Sequence, residues 1–391
     1  MPRGIGLSHG NRTMKYLVLG AGMIGSAAAF DLARSKGTTL VTLADIDGER
    51  AHASARALKS AVARSVALDV NSFDDTVQLM AQHDCTLGAT SFHHNVLLTK
   101  AAIESRTHFL DLGGDDDVLN EQLHLNDDAT RARVTVVPNC GLAPGLVNII
   151  AAAKAKECDE IESLHIRVGC VPLHPKPPLN HQILSSVEGL LHSYTSPCEA
   201  LRNGTLTHLE PLTETEALSV HPAFPSMEAF LTSGGLSLLP QLLEGKAWEL
   251  DLKSIRHIGH CERIRALLEL GFGTSEAISV GSNVLTGKEF FLELLKRRMP
   301  DSGRDTVFCK IEVEGTHQAR KQLSECKIID FFNENDNITG TMRMAGYPLS
   351  IVAQLIVGKE IATRGVVPPE KCVPLKEFLK ALAQRGIGIA E

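Results

Sequence analysis

Short apolar runs alternate with amphipathic stretches over the first third of the chain. The runs are typical of buried strands, and the stretches between them have the apolar spacing of helices with one buried face. Strands that alternate with helices in this way predict a parallel sheet covered by helices on both faces. The predicted strands span residues 15–19, 38–44, 65–70, 85–90, 107–112 and 134–138, and the predicted helices span 23–35, 47–61, 73–82, 94–105 and 118–131.

The alternation ends at residues 139–145, where two glycines and a proline stop the sixth strand. After a predicted helix at 147–156, the pattern changes to longer strands with alternating faces and scattered helices. This change predicts a second domain of the α+β class with a mixed or antiparallel sheet. Its predicted elements are strands at 161–171, 307–314 and 322–332, a turn at 202–204 and a helix at 186–193, after which the chain returns to helix at 350–364 and 375–385.

Three glycines, Gly20, Gly22 and Gly25, connect the first predicted strand to the first predicted helix. Gly20 permits a tight turn, Gly22 lets backbone N–H groups approach a diphosphate, and Gly25 allows the helix to pack closely on the strand. The helix begins at Met23 and Ile24, where unpaired N–H groups and the helix dipole attract negative charge. The stretch predicts a dinucleotide-binding turn, with a plain strand-to-helix turn as the alternative.

A carboxylate, Asp45, ends the second predicted strand, 20 residues after Gly25. In a dinucleotide site, a carboxylate at this place accepts hydrogen bonds from the ribose hydroxyls and repels a 2′-phosphate. The residues that follow, Ile46 and Asp47, provide no arginine for such a phosphate. The sequence therefore favours NAD over NADP as the cofactor.

Further cofactor contacts are expected where the other parallel strands end. Ligands of such sheets bind beyond the carboxyl ends of the strands. We expect the residues after the third strand to meet the adenine and those after the fourth to run toward the nicotinamide; a strand cap or a loop hydrogen bond is the alternative for each. The candidates are Asp69, Val70, Ala89, Thr90, Asp111, Asn139 and Cys140.

The composition is ordinary for a globular protein of two domains, with 391 residues, 43% of them hydrophobic and 22% charged. The net charge of −7 argues against a nucleic-acid partner, which requires clustered lysine and arginine. No apolar run approaches the length of a membrane span. Nine cysteines, none spaced as CxxC, are typical of reduced thiols, so we expect a cytoplasmic protein.

Residues 1–13 lack acidic residues and the apolar segment of a secretory signal. Since Met14 directly precedes the first strand, we expect a disordered extension or an upstream start codon. A remnant of an organelle-targeting segment is the alternative.

Several segments in unbroken order between residues 14 and 370 resemble the saccharopine dehydrogenase-like oxidoreductases. The glycine turn at 20–25, the segment 111–114 and the segment 139–148 are similar to the family as a whole. The second half is similar to its L-lysine 6-dehydrogenase branch. The segments that carry this second similarity are 168–172, 175–179, 194–195, 202–204, 228–236, 259–260 and 343–348.

The resemblance implies an α/β fold in which a Rossmann domain, a doubly wound parallel sheet, carries an inserted α+β catalytic domain. The implied ranges are 14–138 plus about 342–391 for the Rossmann domain and 139–341 for the catalytic and dimerisation domain. Family members usually form dimers through the second domain, so the resemblance implies a homodimer. The implied reaction is oxidation of the ε-amine of L-lysine by NAD to 2-aminoadipate 6-semialdehyde and ammonia. One departure is Asn139, where relatives commonly carry aspartate, and it leaves the amine substrate open.

Hydride transfer from an amine carbon requires the protein to hold the substrate, keep its amine neutral and supply a base for water. A bidentate arginine suits an amino-acid carboxylate, and Arg343 is the first candidate. The acid/base candidates are His181, His260 and Asp111, and Thr232 belongs to a small-residue turn that is a candidate pocket lining. Each candidate has a structural alternative. Arg343 would cap a helix or lie at an interface, and the two histidines would form structural hydrogen bonds. Asp111 would form a turn, and Thr232 would belong to a plain loop.

Cys140 is expected close to the nicotinamide. A thiol nucleophile there is typical of aldehyde dehydrogenases, but such a thiolate needs local positive charge, and no adjacent residue supplies it. We therefore expect Cys140 to pack or to contact the cofactor. The histidines of the second half never show metal-ligand spacing with a third ligand nearby, so no metal site is predicted.

The lysine 6-dehydrogenase interpretation implies a small amino-acid substrate as the partner of this protein. Two other functions remain open. A saccharopine dehydrogenase would act on a secondary amine and would need a second cation for the carboxylates of the glutamyl arm. A redox-inactive NAD-binding regulator is the alternative of another class, and the Asn139 departure is its support.

Overall fold

The computed structural model describes residues 13–183, 186–299 and 303–390 and divides the chain into two compact units. The first unit contains residues up to 156, together with 237–239 and 342–388. The second contains 157–236, 240–341 and the last residues from 389. Of the extension predicted at 1–13, all but Thr13 lies outside the described residues.

The described ranges contain strands and helices that we number in chain order. The strands are β1 (Met14–Leu19), β2 (Thr38–Asp45), β3 (Ala63–Ala67), β4 (Cys85–Gly88), β5 (His108–Asp111), β6 (Thr135–Val137), β7 (Glu160–Pro172), β8 (Cys198–Arg202), β9 (Thr205–Leu209), β10 (Glu216–Leu218), β11 (Met227–Leu231), β12 (Ala247–His257), β13 (Ala277–Val280), β14 (Asn283–Thr286), β15 (Asp305–His317), β16 (Arg320–Phe331) and β17 (Gly365–Val366). The helices are α1 (Met23–Arg34), α2 (Gly48–Ala57), α3 (Phe73–Met80), α4 (Asn95–Ser105), α5 (Asp116–Leu123), α6 (Asn126–Arg131), α7 (Leu146–Ala155), α8 (Val187–Thr195), α9 (Leu239–Leu243), α10 (His260–Leu267), α11 (Gly287–Arg298), α12 (Gly340–Gly358), α13 (Pro369–Cys372) and α14 (Leu375–Gln384).

The first unit is built on a parallel sheet whose strands follow the order β17-β6-β5-β4-β1-β2-β3 in the described part of the chain. The order reverses between β1 and β4, because the chain leaves β3 at one edge and returns beside β1. In open α/β sheets this switch point opens a crevice at the carboxyl ends of the strands. The glycine turn follows β1 and therefore lies at this crevice, and the predicted doubly wound sheet is confirmed.

Several predicted boundaries differ from the observed ones. The helix predicted at 118–131 is two helices, α5 and α6, separated at residues 124–125. The third strand ends at Ala67 rather than Val70, because a turn closes when the Ser72 N–H donates to the Asp69 carbonyl oxygen at 2.9 Å. Helix α7 belongs to the first unit rather than the second, since it packs against α13 and α14 of that unit.

Helix α12 begins ten residues before the helix predicted at 350–364, and ends at Gly358. Its first turn is stabilised from a distant strand: the Asp305 carboxylate accepts hydrogen bonds from the N–H groups of Gly340 at 2.6 Å and Thr341 at 3.0 Å. Helix caps are usually the residue just before the helix, so the sequence around residue 340 does not predict a helix start that depends on Asp305.

The second unit contains a mixed sheet in which the described strands follow the order β10-β11-β12-β7-β15-β16, with β8 and β9 added beside β12. Strands β7 and β12 are parallel and their other pairings are antiparallel. The long strands predicted at 161–171, 307–314 and 322–332, and the turn at 202–204, are confirmed. Helices α8, α10 and α11 contribute to an apolar core together with Leu179 and Phe230.

No helix of the described residues is long and apolar enough to cross a membrane.

A buried ion pair joins α1 to the end of the chain within the first unit. The Arg385 guanidinium donates two hydrogen bonds to the Asp31 carboxylate, from Nε at 2.7 Å and from Nη2 at 2.8 Å. Ser350 and Gln354 of α12 donate to the same carboxylate. Bidentate geometry and the added donors compensate for the loss of water at both charges. The contacts connect α1, α12 and the residue after α14.

We expect Asp31→Asn to lower the free energy of unfolding by about 3–5 kcal/mol, because it leaves the buried Arg385 charge without its counter-charge. Urea unfolding followed by circular dichroism measures this change. The matched control is Asp128→Asn, which removes one carboxylate from an exposed pair with Arg131 and should cost less than about 1 kcal/mol. Equal losses in the two variants would contradict a structural role for the buried pair.

Candidate functional site

The turn after β1 requires glycine at two positions. Gly20 has a φ of +95°, and a Cβ there would lie 2.4 Å from the Ala89 carbonyl oxygen. At Gly25 a Cβ would lie 1.9 Å from the Gly20 carbonyl oxygen. Both distances are far below van der Waals contact, so any side chain would move α1 away from the ends of β1 and β4. The packing roles predicted for these glycines agree with this geometry.

The space above the turn is open and lined by donors. A Cβ at Gly22 would meet no atom within 4 Å. Gly22 is also the N-cap residue of α1, and it provides no side-chain cap for the N–H groups of Met23 and Ile24 in the first turn. Such N–H groups with the positive end of the helix dipole suit a diphosphate. These residues therefore fit a dinucleotide.

Asp45 is held in place by backbone donors on both sides. Its Oδ2 accepts from the Ala21 N–H at 2.8 Å, and its Oδ1 accepts from the Asp47 N–H at 2.9 Å. Each carboxylate oxygen keeps a further lone pair, so the group can still accept from a ribose hydroxyl. Next to it, the Ile46 side chain is 72% exposed. The ribose-binding role of Asp45 stays a prediction that these contacts allow.

The other predicted cofactor residues differ in the contacts that their side chains make within the protein. Asp69 is exposed, and its Oδ1 accepts from both nitrogens of Asn71 at 2.9 Å. Val70 packs partly against the hydrophobic core. Ala89 lies directly over the glycine turn, and the buried Oγ1 of Thr90 has no hydrogen-bond partner in the described part of the chain. An unpartnered hydroxyl at this crevice is consistent with a polar ligand group.

Asp111 and Asn139 form a fully buried unit at the ends of β5 and β6. The Asp111 carboxylate accepts from the N–H groups of Gly113 at 2.8 Å and Asn139 at 3.2 Å, and from the Gln122 side-chain amide at 2.7 Å. Burial nevertheless raises the pKa of Asp111 to about 6. Asn139 adopts a φ of +58°, which asparagine tolerates, and its amide donates to the Ser237 hydroxyl at 3.1 Å.

Cys140 is completely buried, and its N–H donates to the Asp111 carbonyl oxygen at 2.7 Å. Burial raises the pKa of the Cys140 thiol well above its usual range. A thiol that stays protonated at neutral pH is a poor nucleophile. The geometry thus agrees with the predicted packing role and gives no support to thiol catalysis.

In the second unit, two of the predicted residues lie together with two that the sequence reasoning missed. The rings of His181 and His260 are 5.3 Å apart between centroids. The Tyr194 hydroxyl oxygen lies within hydrogen-bond distance of His260 Nε2, at 3.0 Å. The same oxygen accepts a hydrogen bond from Arg256 Nε at 3.1 Å. We call His181, Tyr194, Arg256 and His260 the arginine cluster.

The hydrogen-bond directions in the arginine cluster determine the state of His260. Its Nδ1 lies 2.8 Å from the Leu179 carbonyl oxygen, which can only accept, so Nδ1 carries a proton. Burial, assisted by the charge of Arg256, lowers the pKa of His260 to about 3, so Nε2 is unprotonated at neutral pH. Tyr194 then donates to Nε2 and accepts from Arg256. With both nitrogens used, this geometry does not support the predicted acid/base role of His260.

Thr232 and Arg343 lie elsewhere. Thr232 follows β11, and its hydroxyl is 2.8 Å from that of Ser254 on β12. Arg343 is buried on α12 of the first unit, where its Nη2 donates to the Arg385 carbonyl oxygen at 3.0 Å and its guanidinium lies over the Tyr347 ring. The predicted catalytic roles of both residues stay predictions.

A signal for Arg256 does exist in the sequence. It is an arginine within an otherwise alternating strand pattern, three residues before the Gly259-His260 pair. Pattern alone does not separate a buried arginine from an exposed one, because alternate strand positions point to opposite faces. For a metal, the described residues contain no group of three or more His, Cys, Asp or Glu side chains that could hold one.

We expect the stability of the native protein to fall, relative to Asp111→Asn, as pH rises from about 4 to 7. The pKa of Asp111 is higher in the folded state than in the unfolded state, so the folded state binds this proton more tightly and loses that advantage above about pH 6. The difference between the two proteins should change by about 2 kcal/mol over this interval. Urea unfolding at several pH values measures it, and a pH-independent difference would contradict the burial effect.

Two family models match this chain, one after the other. Residues 16–137 match the family model for the saccharopine dehydrogenase NADP binding domain, and residues 141–387 match that for the saccharopine dehydrogenase C-terminal domain. Saccharopine dehydrogenase (NADP+, L-glutamate-forming) of Schizosaccharomyces pombe is 20% identical, with 96% of this chain and 98% of that protein covered.

Two further proteins are similar to this chain over different shares of their length. Alpha-aminoadipic semialdehyde synthase of Arabidopsis thaliana is 24% identical over 243 residues, which are 57% of this chain but only 22% of that longer protein. The solved structure of apo saccharopine dehydrogenase (L-Glu forming) from Saccharomyces cerevisiae superposes with a TM-score of 0.76 at 16% identity, covering 96% of this chain and 99% of that one. At this identity the structural match establishes the fold. Because the two family models together account for most of both units, this chain belongs to the saccharopine dehydrogenase family of NAD(P)-binding oxidoreductases.

Proposed function

We propose that this protein is an NAD-dependent dehydrogenase that oxidises the side-chain amine of L-lysine. The overall reaction converts L-lysine, NAD+ and water into 2-aminoadipate 6-semialdehyde, ammonium and NADH. Bound NAD+ would supply the hydride acceptor. The observation that carries the proposal is family membership together with the open glycine turn and the carboxylate of Asp45 beside it.

The choice of NAD over NADP depends on charge at the end of β2. Asp45 and Asp47 place negative charge where the 2′-phosphate of NADP would lie, and between them is the apolar Ile46. The guanidinium of Arg50 is turned to Asp47, with 3.4 Å between Nη2 and Oδ2. The matching family model and the S. pombe relative are named for NADP, so NADP is the cofactor against which this choice is tested.

The choice of lysine depends on the number of cations available for carboxylates. Among the described buried cations of the second unit, Arg167 pairs with Asp251, and Lys253 pairs with Glu216. Arg256 forms no ion pair with a described carboxylate. One unpaired cation among the described buried cations of the second unit suits the one carboxylate of lysine better than the several carboxylates of saccharopine.

The residues of this chain have three tasks in such a reaction. One is to hold the carboxylate, for which Arg256 and Arg343 are the candidates. The second is to keep the reacting amine neutral, and the third is to orient water for the release of ammonia. Asp111 and His181 are the titratable candidates for these tasks. The pKa of Asp111 is about 6, so it is mostly an acceptor at neutral pH.

A second candidate function is a saccharopine dehydrogenase, which the near full-length similarity to the S. pombe and S. cerevisiae proteins favours. It would oxidise the secondary amine of saccharopine by the same hydride transfer. The two functions differ in the size and charge of the group attached to the nitrogen.

Absorbance of the reduced cofactor separates these functions. Purified protein is mixed with NAD or NADP and with L-lysine or saccharopine. Reduction of NAD by L-lysine alone is the expected result. Reduction only with saccharopine would instead support the second candidate, and cofactor binding without reduction by either compound would support a redox-inactive regulator.

We expect Asp45→Asn to raise the KM for NAD about 10- to 100-fold, because a charge-assisted hydrogen bond to the ribose is weakened. The KM for NADP should fall, since the repulsion of the 2′-phosphate is removed. Asn keeps an acceptor for only one of the Ala21 and Asp47 N–H groups and turns its NH2 toward the other, so the ratio of the two KM values, rather than the KM for NAD alone, is the readout.

The control for this substitution is Glu49→Gln, which removes an exposed carboxylate from the first turn of α2 and should leave the preference between the cofactors nearly unchanged. If Asp45→Asn leaves the ratio of the two KM values unchanged, Asp45 does not read the ribose.

A further inference from the structure

Arg256 is a buried cation without a carboxylate partner among the described residues. The residue is 9% exposed. Its Nε donates to the Tyr194 hydroxyl at 3.1 Å, and its Nη1 donates to the Ile255 carbonyl oxygen at 2.8 Å. Both acceptors are neutral. Buried charges in proteins are normally paired, because removing a charge from water is costly. An uncompensated buried guanidinium therefore calls for an anion that the described residues do not provide.

The carboxylate best placed to pair with Arg256 is directed elsewhere. Glu228 lies directly opposite Arg256 in the antiparallel register of β11 and β12. Its carboxylate accepts from the N–H groups of Gly259 at 3.0 Å and Cys261 at 2.7 Å, where it stabilises the first turn of α10. No ion pair joins it to Arg256, so the chain has an acidic neighbour at this position and uses it for another purpose.

The guanidinium is also prevented from turning away. The Tyr194 hydroxyl accepts from Arg256 Nε and donates its own proton to His260, and His260 is held by the Leu179 carbonyl oxygen. This chain of hydrogen bonds leaves the Nη2 edge of the guanidinium without a hydrogen-bond partner in the described residues. A carboxylate binds such an edge through its two oxygens.

His181 provides a second polar group without a partner. The side chain is 4% exposed, and its buried Nδ1 forms no hydrogen bond within the described ranges. Burial lowers the pKa of His181 well below its usual range, and the charge of Arg256 lowers it further, so the ring is neutral. A neutral imidazole can donate to a carboxylate or accept from an ammonium group.

We propose that Arg256 binds the α-carboxylate of the substrate and that His181 hydrogen-bonds the same amino-acid head group, while Tyr194 and His260 are positioning residues. The proposal rests on the proposed function in one respect, that the substrate is an amino acid. It assigns the carboxylate to Arg256 rather than to Arg343, whose Nη2 donates to the Arg385 carbonyl oxygen.

Isothermal titration calorimetry with L-lysine and with pentane-1,5-diamine tests the proposal. The diamine has the same chain and terminal amine but no carboxylate. Titrations are made with NADH present, so that no turnover occurs. We expect Arg256→Met to weaken the binding of L-lysine about 10- to 100-fold and to leave diamine binding nearly unchanged. Arg256→Lys should recover part of the loss, because it restores the charge without the bidentate edge.

Three further variants sharpen the comparison. Arg263→Met removes an exposed arginine from the neighbouring helix α10 and should leave the binding of both compounds unchanged. Tyr194→Phe removes the acceptor of Arg256 Nε, and we expect several-fold weaker binding of L-lysine only. This conservative variant tests the proposal even if Arg256→Met does not fold. Arg343→Met is measured in parallel as the competing assignment.

The outcomes separate this proposal from the proposed function. Equal weakening of both compounds in Arg256→Met, or a carboxylate-specific loss confined to Arg343→Met, would overturn the role of Arg256 even if L-lysine is oxidised. Wild-type protein that binds L-lysine no better than the diamine would overturn it as well. A carboxylate-specific loss in Arg256→Met, found in a protein that does not reduce NAD with L-lysine, would retain the subsite and reject the lysine 6-dehydrogenase function.

Discussion

Close packing around helix α1 is the constraint on which the first unit depends. On one side, Gly25 brings the helix so near the turn that a methyl group would overlap the Gly20 carbonyl oxygen. On another side, Gly346 of α12 packs against the helix so closely that a Cβ at Gly346 would lie 2.9 Å from the Ile24 carbonyl oxygen. Further along the helix, Asp31 is paired with Arg385. Packing from several elements therefore holds the start of α1 and fixes the orientation of the backbone N–H groups in its first turn.

This arrangement explains why the end of the chain matters for a site at its beginning. Residues 342–388 return to the first unit and supply α12, β17 and Arg385. The ion pair of Asp31 with Arg385 is fully buried and bidentate, so either partner alone would be an uncompensated charge. Helix α1, which follows the glycine turn, is thus held by a contact between residues more than 350 positions apart.

The second unit contrasts two uses of buried arginine. Arg167 contacts both Asp251 and Glu216, and Arg202 contacts Asp251 as well, so these cations are neutralised inside the protein. Among the described residues, Arg256, on the same strand as Asp251, has only neutral acceptors, although Glu228 lies opposite it. Networks of paired charges contribute to stability and specificity of packing, whereas an unpaired charge held by hydrogen bonds is characteristic of a ligand site.

The sequence by itself determined the doubly wound sheet, the glycine turn, the long strands of the second unit and the family to which the chain belongs. These features are encoded locally: strand and helix periodicity and the spacing of Gly20, Gly22 and Gly25 depend on neighbouring residues. Asp45 could be predicted for the same reason, since it ends the strand that follows the turn. Asp69 and Val70 were wrongly predicted at the end of the third strand, because a turn ends β3 before them.

The tertiary structure decided the points that depend on distant residues. The start of α12 requires Asp305, and the state of His260 requires Tyr194, Arg256 and the Leu179 carbonyl oxygen. Burial decided that Cys140 is a protonated thiol and that the pKa of Asp111 is about 6, since desolvation depends on everything packed around a group. Arg256 became a candidate only when its strand partner Glu228 was seen to bind α10 instead. Whether a charge is paired is a property of the folded chain, because the partner is selected by register and packing rather than by sequence distance.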